Sequence, residues 1–396
     1  MSERGTPGFV PERLTLAREA RGLTSTALAD VLDLSRESIS RYERGDATPG
    51  PEIFSRICER LRIPRMYLVT QLAPTVGSPK FFRSMSNTGK VARRRARALH
   101  EWVHDIAMSL VDKVEMPHVS VPNLAVNTKA TSLSFDDVEE LATQLRRHWG
   151  MGDGPISDLT LLLENHGAIV ACAPLELAGL DGLSGWFGER PVVLLNSDKA
   201  TAARVRLDAA HELGHLVLHR SVTETEINTG QQFKLIETQA FRFGAAFLFP
   251  ARSFVLEARP ITLDHLLQLK KRWSVSVAMM IHRARDLGVL DEGTAQSMWK
   301  KYTYHGWRGR EPLDDILPIE RPRMLARAIN LLIDAGAVSR GEIPSRANLT
   351  PSDVERLAGL PDGHLSGAPS TVIPIEPKLR SPAPGDGKVL TFRRSS

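Results

Sequence analysis

The feature that most constrains this chain is the run Leu207-Asp-Ala-Ala-His211-Glu212-Leu-Gly-His215-Leu-Val-Leu-His219. Its apolar positions recur at helical spacing, and at about 100° per residue His211 and His215 stand one turn apart on one face. Both imidazoles can then grip one ion. Glu212 lies beside them on the rim, placed to take a proton from water without being a ligand. Leu207, Ala210, Gly214, Val217 and Leu218 make the rest of the helix small or apolar, so burial is expected. Polar groups on a buried helix are costly unless something pairs with them. Two readings stand at this point: a metal site, or an ordinary helix whose histidines hydrogen-bond locally.

A third ligand favours the metal. Catalytic zinc takes three protein ligands and keeps a fourth position for water. Glu237 opens the next apolar stretch, Glu237 to Pro250, whose small and aromatic residues suit packing against the His helix. His219 is the competing candidate. It lies about 12 Å further along the axis than His211 and about 80° round it. One unbroken helix cannot aim both at one ion. His219 is therefore expected to support a ligand by hydrogen bonding, or to act as a cation near the helix C-terminus.

The run from Arg204 through Arg206 to His219, followed by Glu237-x-x-Ala240-x-x-Phe243 and Phe249-Pro250, resembles the ImmA/IrrE metallo-endopeptidases. Upstream, Leu141-Ala-x-x-Leu145-Arg-x-x-Trp149-Gly, Gly154-Pro155-Ile156 and Asp181-Gly182-Leu-Ser184-Gly-Trp186 extend the resemblance, which covers residues 134–250 in matching order. It implies an α+β, zincin-like domain in which His211, His215 and Glu237 bind zinc and Glu212 is the general base. For an oxyanion donor the sequence offers only His219 and the arginines at 204 and 206 as candidates.

The N-terminal part reads as a compact helical bundle over residues 9–70. Pro11 to Ala20 form a first helix, Thr24 caps a second ending at Leu32, Ser35 caps a short third that stops at Gly45, and Pro51 to Leu61 form a fourth. A tight Leu32-Asp33-Leu34 turn gives the helix-turn-helix arrangement, in which the third helix enters the major groove of double-stranded DNA. Ile39 and Tyr42 would pack inward, leaving Arg36, Glu37, Ser38 and Arg41 to face the bases. Leu23-Thr-x-x-x-Leu28-Ala29 through Leu34-Ser35, Ile39-Ser40-x-Tyr42-Glu43-x-Gly45 and Pro49 resembles the XRE (Cro/C1-type) helix-turn-helix. Thr26 stands where that family commonly has Gln, which puts one phosphate or base contact in doubt. Such small readers commonly use two half-sites, so a homodimer on a DNA operator is expected.

Composition bounds the rest. At 42% hydrophobic and 24% charged, the chain is that of a globular protein, and 396 residues suffice for two or three cores. No stretch is a signal peptide or membrane helix, so no membrane partner and a cytoplasmic location are expected. The two cysteines, Cys58 and Cys172, fall in different expected domains, which argues against a disulfide scaffold and against a cysteine zinc site. Net charge is +5, with seven Lys or Arg and no acid between Lys80 and Leu99. Beside a DNA reader such a run can contact phosphate; otherwise it is a solvated face.

The expected organisation is multidomain. An all-α reader (9–70) is followed by a basic connector with a helix near 98–113 (71–132) and the metallopeptidase domain (133–255). A mainly helical C-terminal region (256–366) and a disordered tail (367–396) complete it. Within the metallopeptidase domain, Ser134 caps a helix to Trp149, a second helix runs from Ile156 to Asn165, and strands are expected at 169–173, 185–187 and 191–195, their edge able to hold an extended substrate. Helices at 263–273 and 277–287 resemble a second helix-turn-helix, more simply read as scaffold. The function expected is that of a transcriptional regulator whose zinc endopeptidase cleaves a repressor or other regulatory partner. The alternative is a non-proteolytic regulator or antitoxin whose peptidase-like domain binds a toxin or ligand. Purely structural zinc ranks last, because such sites present four protein ligands.

Overall fold

The structure, a computed structural model, describes residues 5–72, 89–125, 129, 132–176, 180–198, 201–222 and 230–367, and the backbone of 81–82. Lys80, Arg83 and the expected disordered tail beyond residue 367 lie outside the described residues.

Four helices open the chain: α1 (Pro11–Ala20), α2 (Ser25–Leu32), α3 (Arg36–Arg44) and α4 (Pro51–Leu61). Side-chain caps set two of these starts, with Thr24 accepting from the amide of Ala27 and Ser35 from that of Ser38. Asp33 in the left-handed region (φ 52°) turns the chain between α2 and α3, and Gly45 (φ 79°) ends α3. Leu14, Leu28, Ile39, Phe54 and Leu61 fill the centre of this bundle.

Beyond it come β1 (Phe81–Phe82), α5 (Lys90–Met108), α6 (Phe135–His148), α7 (Leu159–Asn165), β2 (Ile169–Ala173), β3 (Gly182–Phe187), β4 (Arg190–Asn196), α8 (Ala202–Leu218) and α9 (Gly230–Leu248). The remaining helices are α10 (Ala251–Glu257), α11 (Leu263–Trp273), α12 (Val277–Asp286), α13 (Glu292–Tyr304), α14 (Met324–Asp334), α15 (Glu342–Ala347) and α16 (Pro351–Ala358). No helix among the described residues is long and apolar enough to cross a membrane.

The sheet has the order β1-β3-β4-β2, with β2 parallel to β4 and the other pairs antiparallel. Its strands read as almost unbroken apolar runs because both faces are covered. Ile169, Ala171, Leu183, Val192 and Leu194 face one core, shared with α5, the N-terminal bundle and α14–α16. Val170, Trp186, Val193 and Leu195 face the other, shared with α6–α9 and α11–α13. Strand β3 is longer than expected. Its outer edge is also occupied, since Phe81 pairs with Ser184 and Phe82 with Leu183.

Two further expectations need correction. The connector helix starts at Lys90, not near Ala98, and is a core element. Ala96, Leu99, Trp102, Val103 and Ile106 are buried at helical spacing beneath the arginines. Trp102 Nε1 donates to Tyr67 Oη at 2.7 Å, and Arg13 pairs with Asp105 at 2.5 Å, so α5 bonds the reader on one side. On the other, His104 stacks on Phe187 with centroids 4.1 Å apart. Part of the basic run is engaged internally: Arg95 with Glu176 at 2.5 Å and Arg94 with Glu19 at 3.7 Å. The stretch 256–366 is likewise not one unit. Helices α11–α13 share a core with the His helix, whereas α14–α16 join the reader, where Arg21 forks onto Asp353 with both contacts at 2.7 Å.

Candidate metal centre

Thr201 caps α8 by accepting from the amide of Arg204, and the helix then runs through the motif to His219 as its C-cap. From Ala202 to Leu218 nearly every residue is buried, because α8 is sandwiched between the sheet and α9. Glycines make that sandwich close. A Cβ on Gly214 would stand 3.0 Å from Ala240 O, and one on Gly244 would stand 3.0 Å from the main chain of Ala210 and His211. The backbones of α8 and α9 therefore nearly touch. Glu237 lies in the second turn of α9, since that helix begins at Gly230 and not at Glu237.

Crossing at this distance brings three sequence-expected residues together. Ligating atoms of His211, His215 and Glu237 all lie within 4.8 Å of one another. The two Nε2 atoms are 3.0 Å apart, and the Glu237 oxygens stand 3.4 Å from His211 Nε2 and 3.3 Å from His215 Nε2. Burial alone would push the Glu237 carboxyl up. The two imidazoles outweigh it and hold the group well below the usual carboxylate range. Two buried carboxylate oxygens that accept no hydrogen bond and face two imidazole nitrogens fit a cation. Two nitrogens and one carboxylate also suit zinc in its open, three-ligand form.

Glu212 is buried outside this trio. Its carboxylate lies against β3, where a Cβ on Gly182 would meet Glu212 Oε1 at 2.9 Å, and Ser184 Oγ donates to its carbonyl at 3.2 Å. Gly182 thus leaves room for the acid. Gly182→Ala is expected to displace the Glu212 side chain and leave metal content unchanged, as read by metal analysis of the purified variant.

His219 is wholly buried, with Nδ1 3.1 Å from His215 Nδ1 and Nε2 3.1 Å from Gln239 Oε1. Burial, and then the neighbouring His215, push its pKa down to about 3. Of the two expectations for His219, the geometry fits the ring that hydrogen-bonds a candidate ligand and not the cation at the helix end. Arg206, a candidate oxyanion donor, is spent on Glu320 and the carbonyl of Ile156. Arg204 instead lines a cavity of ≈ 250 Å³ shared by α8, the start of α12 and residues 307–311, with Asp208 and Phe241 in its wall. Sequence reasoning placed Gly182 in a motif without a role of its own and missed Gln239. The spacing Glu237-x-Gln239 was the only available signal for the latter, and a neutral amide in an apolar helix does not advertise a role.

In the reader, Arg36, Glu37 and Arg41 are exposed on α3 and Ile39 is fully buried. Ser38 is half-buried, its Oγ 2.8 Å from Ser35 Oγ, so it belongs to the helix cap as much as to the outer face.

Comparison with known families places both parts. Residues 163–285 match the IrrE N-terminal-like domain, and residues 14–68 match the helix-turn-helix family. The first match takes in α11 and most of α12, the pair that resembles a second reader. No curated protein matches the chain.

Proposed function

We propose that this chain, which joins an XRE-type helix-turn-helix to an IrrE-like metallopeptidase-family domain, is a DNA-bound regulator whose zinc endopeptidase cleaves a regulatory protein. The observation that carries the reading is the convergence of His211, His215 and Glu237 from two helices, with Glu212 buried beside them.

His211, His215 and Glu237 would hold the zinc. Bound zinc supplies Lewis acidity that acidifies water and polarises a carbonyl. Glu212 takes the proton as water oxygen bonds to the scissile carbon. It returns that proton to the amine nitrogen as the C–N bond breaks, so the peptide leaves as an acid and an amine. The cavity lined by Asp208, Phe241 and Trp307 would give a substrate side chain a place. An extended substrate pairing with β3 at Leu183 and Ser184 would displace β1 from that edge.

The DNA role rests on α3. Arg36 and Arg41 project to solvent next to Glu37, a set able to fork onto guanine and accept from cytosine, and two copies would read two half-sites. Arg36→Ala and Arg41→Ala are each expected to weaken operator binding by about 1–3 kcal/mol in gel-shift titrations, with cleavage unchanged. The peptidase reading is tested by zinc content and by cleavage of co-expressed neighbouring proteins, wild type against Glu212→Gln. Zinc retained without cleavage of any partner by the wild type would favour a non-proteolytic regulator or antitoxin that binds a toxin or ligand.

A further inference from the structure

A chain of hydrogen bonds runs from a main-chain carbonyl to the metal centre, and its first link admits only one direction. Leu133 O can only accept, so the Gln239 group 3.1 Å away must be its amide nitrogen. The orientation of the Gln239 amide is thereby fixed, and its Oε1 faces His219 Nε2 at 3.1 Å. An amide oxygen only accepts, so His219 carries its hydrogen on Nε2. A neutral imidazole has one such hydrogen, which leaves His219 Nδ1 as a lone pair. That lone pair stands 3.1 Å from His215 Nδ1, which must then be the protonated nitrogen of its ring. His215 Nε2 then carries the lone pair of its ring, and it is the atom aimed at His211 Nε2 and Glu237.

We propose that Gln239 is a positioning residue that dictates, through His219, which nitrogen of His215 presents its lone pair to a metal. The inference rests on reading His215 as a ligand and not on any peptidase activity. The fixed amide of Gln239 on one side of the buried His219 ring and His215 on the other keep the chain one-directional. All members are buried, so bulk water does not compete for these bonds. The anchor at Leu133 immediately precedes the Ser134 cap of α6. The start of that helix thus sets the imidazole tautomer at the crossing of α8 and α9. A ligating histidine oriented by a hydrogen bond on its other nitrogen binds metal more tightly, by about 10- to 100-fold.

The experiment uses the full-length protein labelled with 15N-histidine, studied metal-free and with zinc, the rings being assigned from single His variants. Long-range proton–nitrogen spectra are expected to show His219 protonated at Nε2 and His215 at Nδ1 in both states. Gln239→Met removes both links at similar volume. It is expected to leave the His219 tautomer mixed and to lower zinc affinity by about 10- to 100-fold in competition with a fluorescent chelator. An Nδ1-protonated His219 in the wild type overturns the proposal, and that measurement stands even where Gln239→Met fails to fold. Zinc affinity of Gln239→Met within twofold of wild type overturns it as well. Absence of cleavage with the expected tautomers counts against the peptidase reading alone.

Discussion

Glu212→Gln is expected to retain full zinc occupancy and to lose cleavage by about 100- to 10,000-fold, the usual contribution of a positioned general base. The prediction separates the two duties of the motif. The converging atoms belong to His211, His215 and Glu237, and Glu212 is not among them, so metal binding does not need its charge. Glutamine keeps the volume against Gly182, where space is tight enough that even one added carbon would meet the carboxylate. What it cannot do is accept a proton from water. The measurement pairs metal analysis of purified protein with mass spectrometry of co-expressed neighbouring proteins. Equal processing of one partner by both variants would remove Glu212 from the hydrolytic step, while loss of zinc in the variant would mean that the carboxylate holds the site together.

Much of this site could be read from periodicity. His211 and His215 are one turn apart in any α-helix, so their shared face follows from the residue count alone. The small residues at 210, 214, 240 and 244 announced that two helices pack closely, although only the structure shows backbones near enough that a Cβ at Gly214 or Gly244 would collide. Burial was the hidden variable elsewhere. His219 at a helix end could be read either as a support for a ligand or as a cation, and its whole burial beside His215 favours the first. The arginines at 93–97 dominated the reading of α5, yet Leu99, Trp102 and Ile106 make it the helix against which both reader and sheet pack. Long-range partners such as Arg21 with Asp353, or the amides of Arg323 and Met324 on Glu164, leave no local trace, which is why 256–366 looked like a single region.

Lys270→Met should be the most destabilising single change outside the metal centre, at about 3–5 kcal/mol, because it strands buried charge. The Lys270 amine is wholly buried, 2.8 Å from Glu311 Oε2 and 2.5 Å from Asp314 Oδ1. Glu311 also accepts from the amides of Val277 and Ala278 at the start of α12 and from Tyr302 Oη, so one carboxylate ties α11, α12 and α13 together. Removing the only cation in contact among the described residues leaves two carboxylates nearly out of reach of water. Urea unfolding of Lys270→Met measures the loss. The triple variant with Glu311→Gln and Asp314→Asn is expected to recover most of it, since replacing a whole buried ion cluster is far less costly than breaking one. A loss below about 1 kcal/mol, in the range of an exposed pair, would show that solvent reaches the cluster. The same substitution decides what α11 and α12 are for. Were this pair a second DNA reader touching phosphate through Lys270, its loss would lower the salt dependence of DNA binding by about one unit of slope. A lysine with no exposed surface cannot make that contact, so the slope is expected to stay unchanged while the fold weakens.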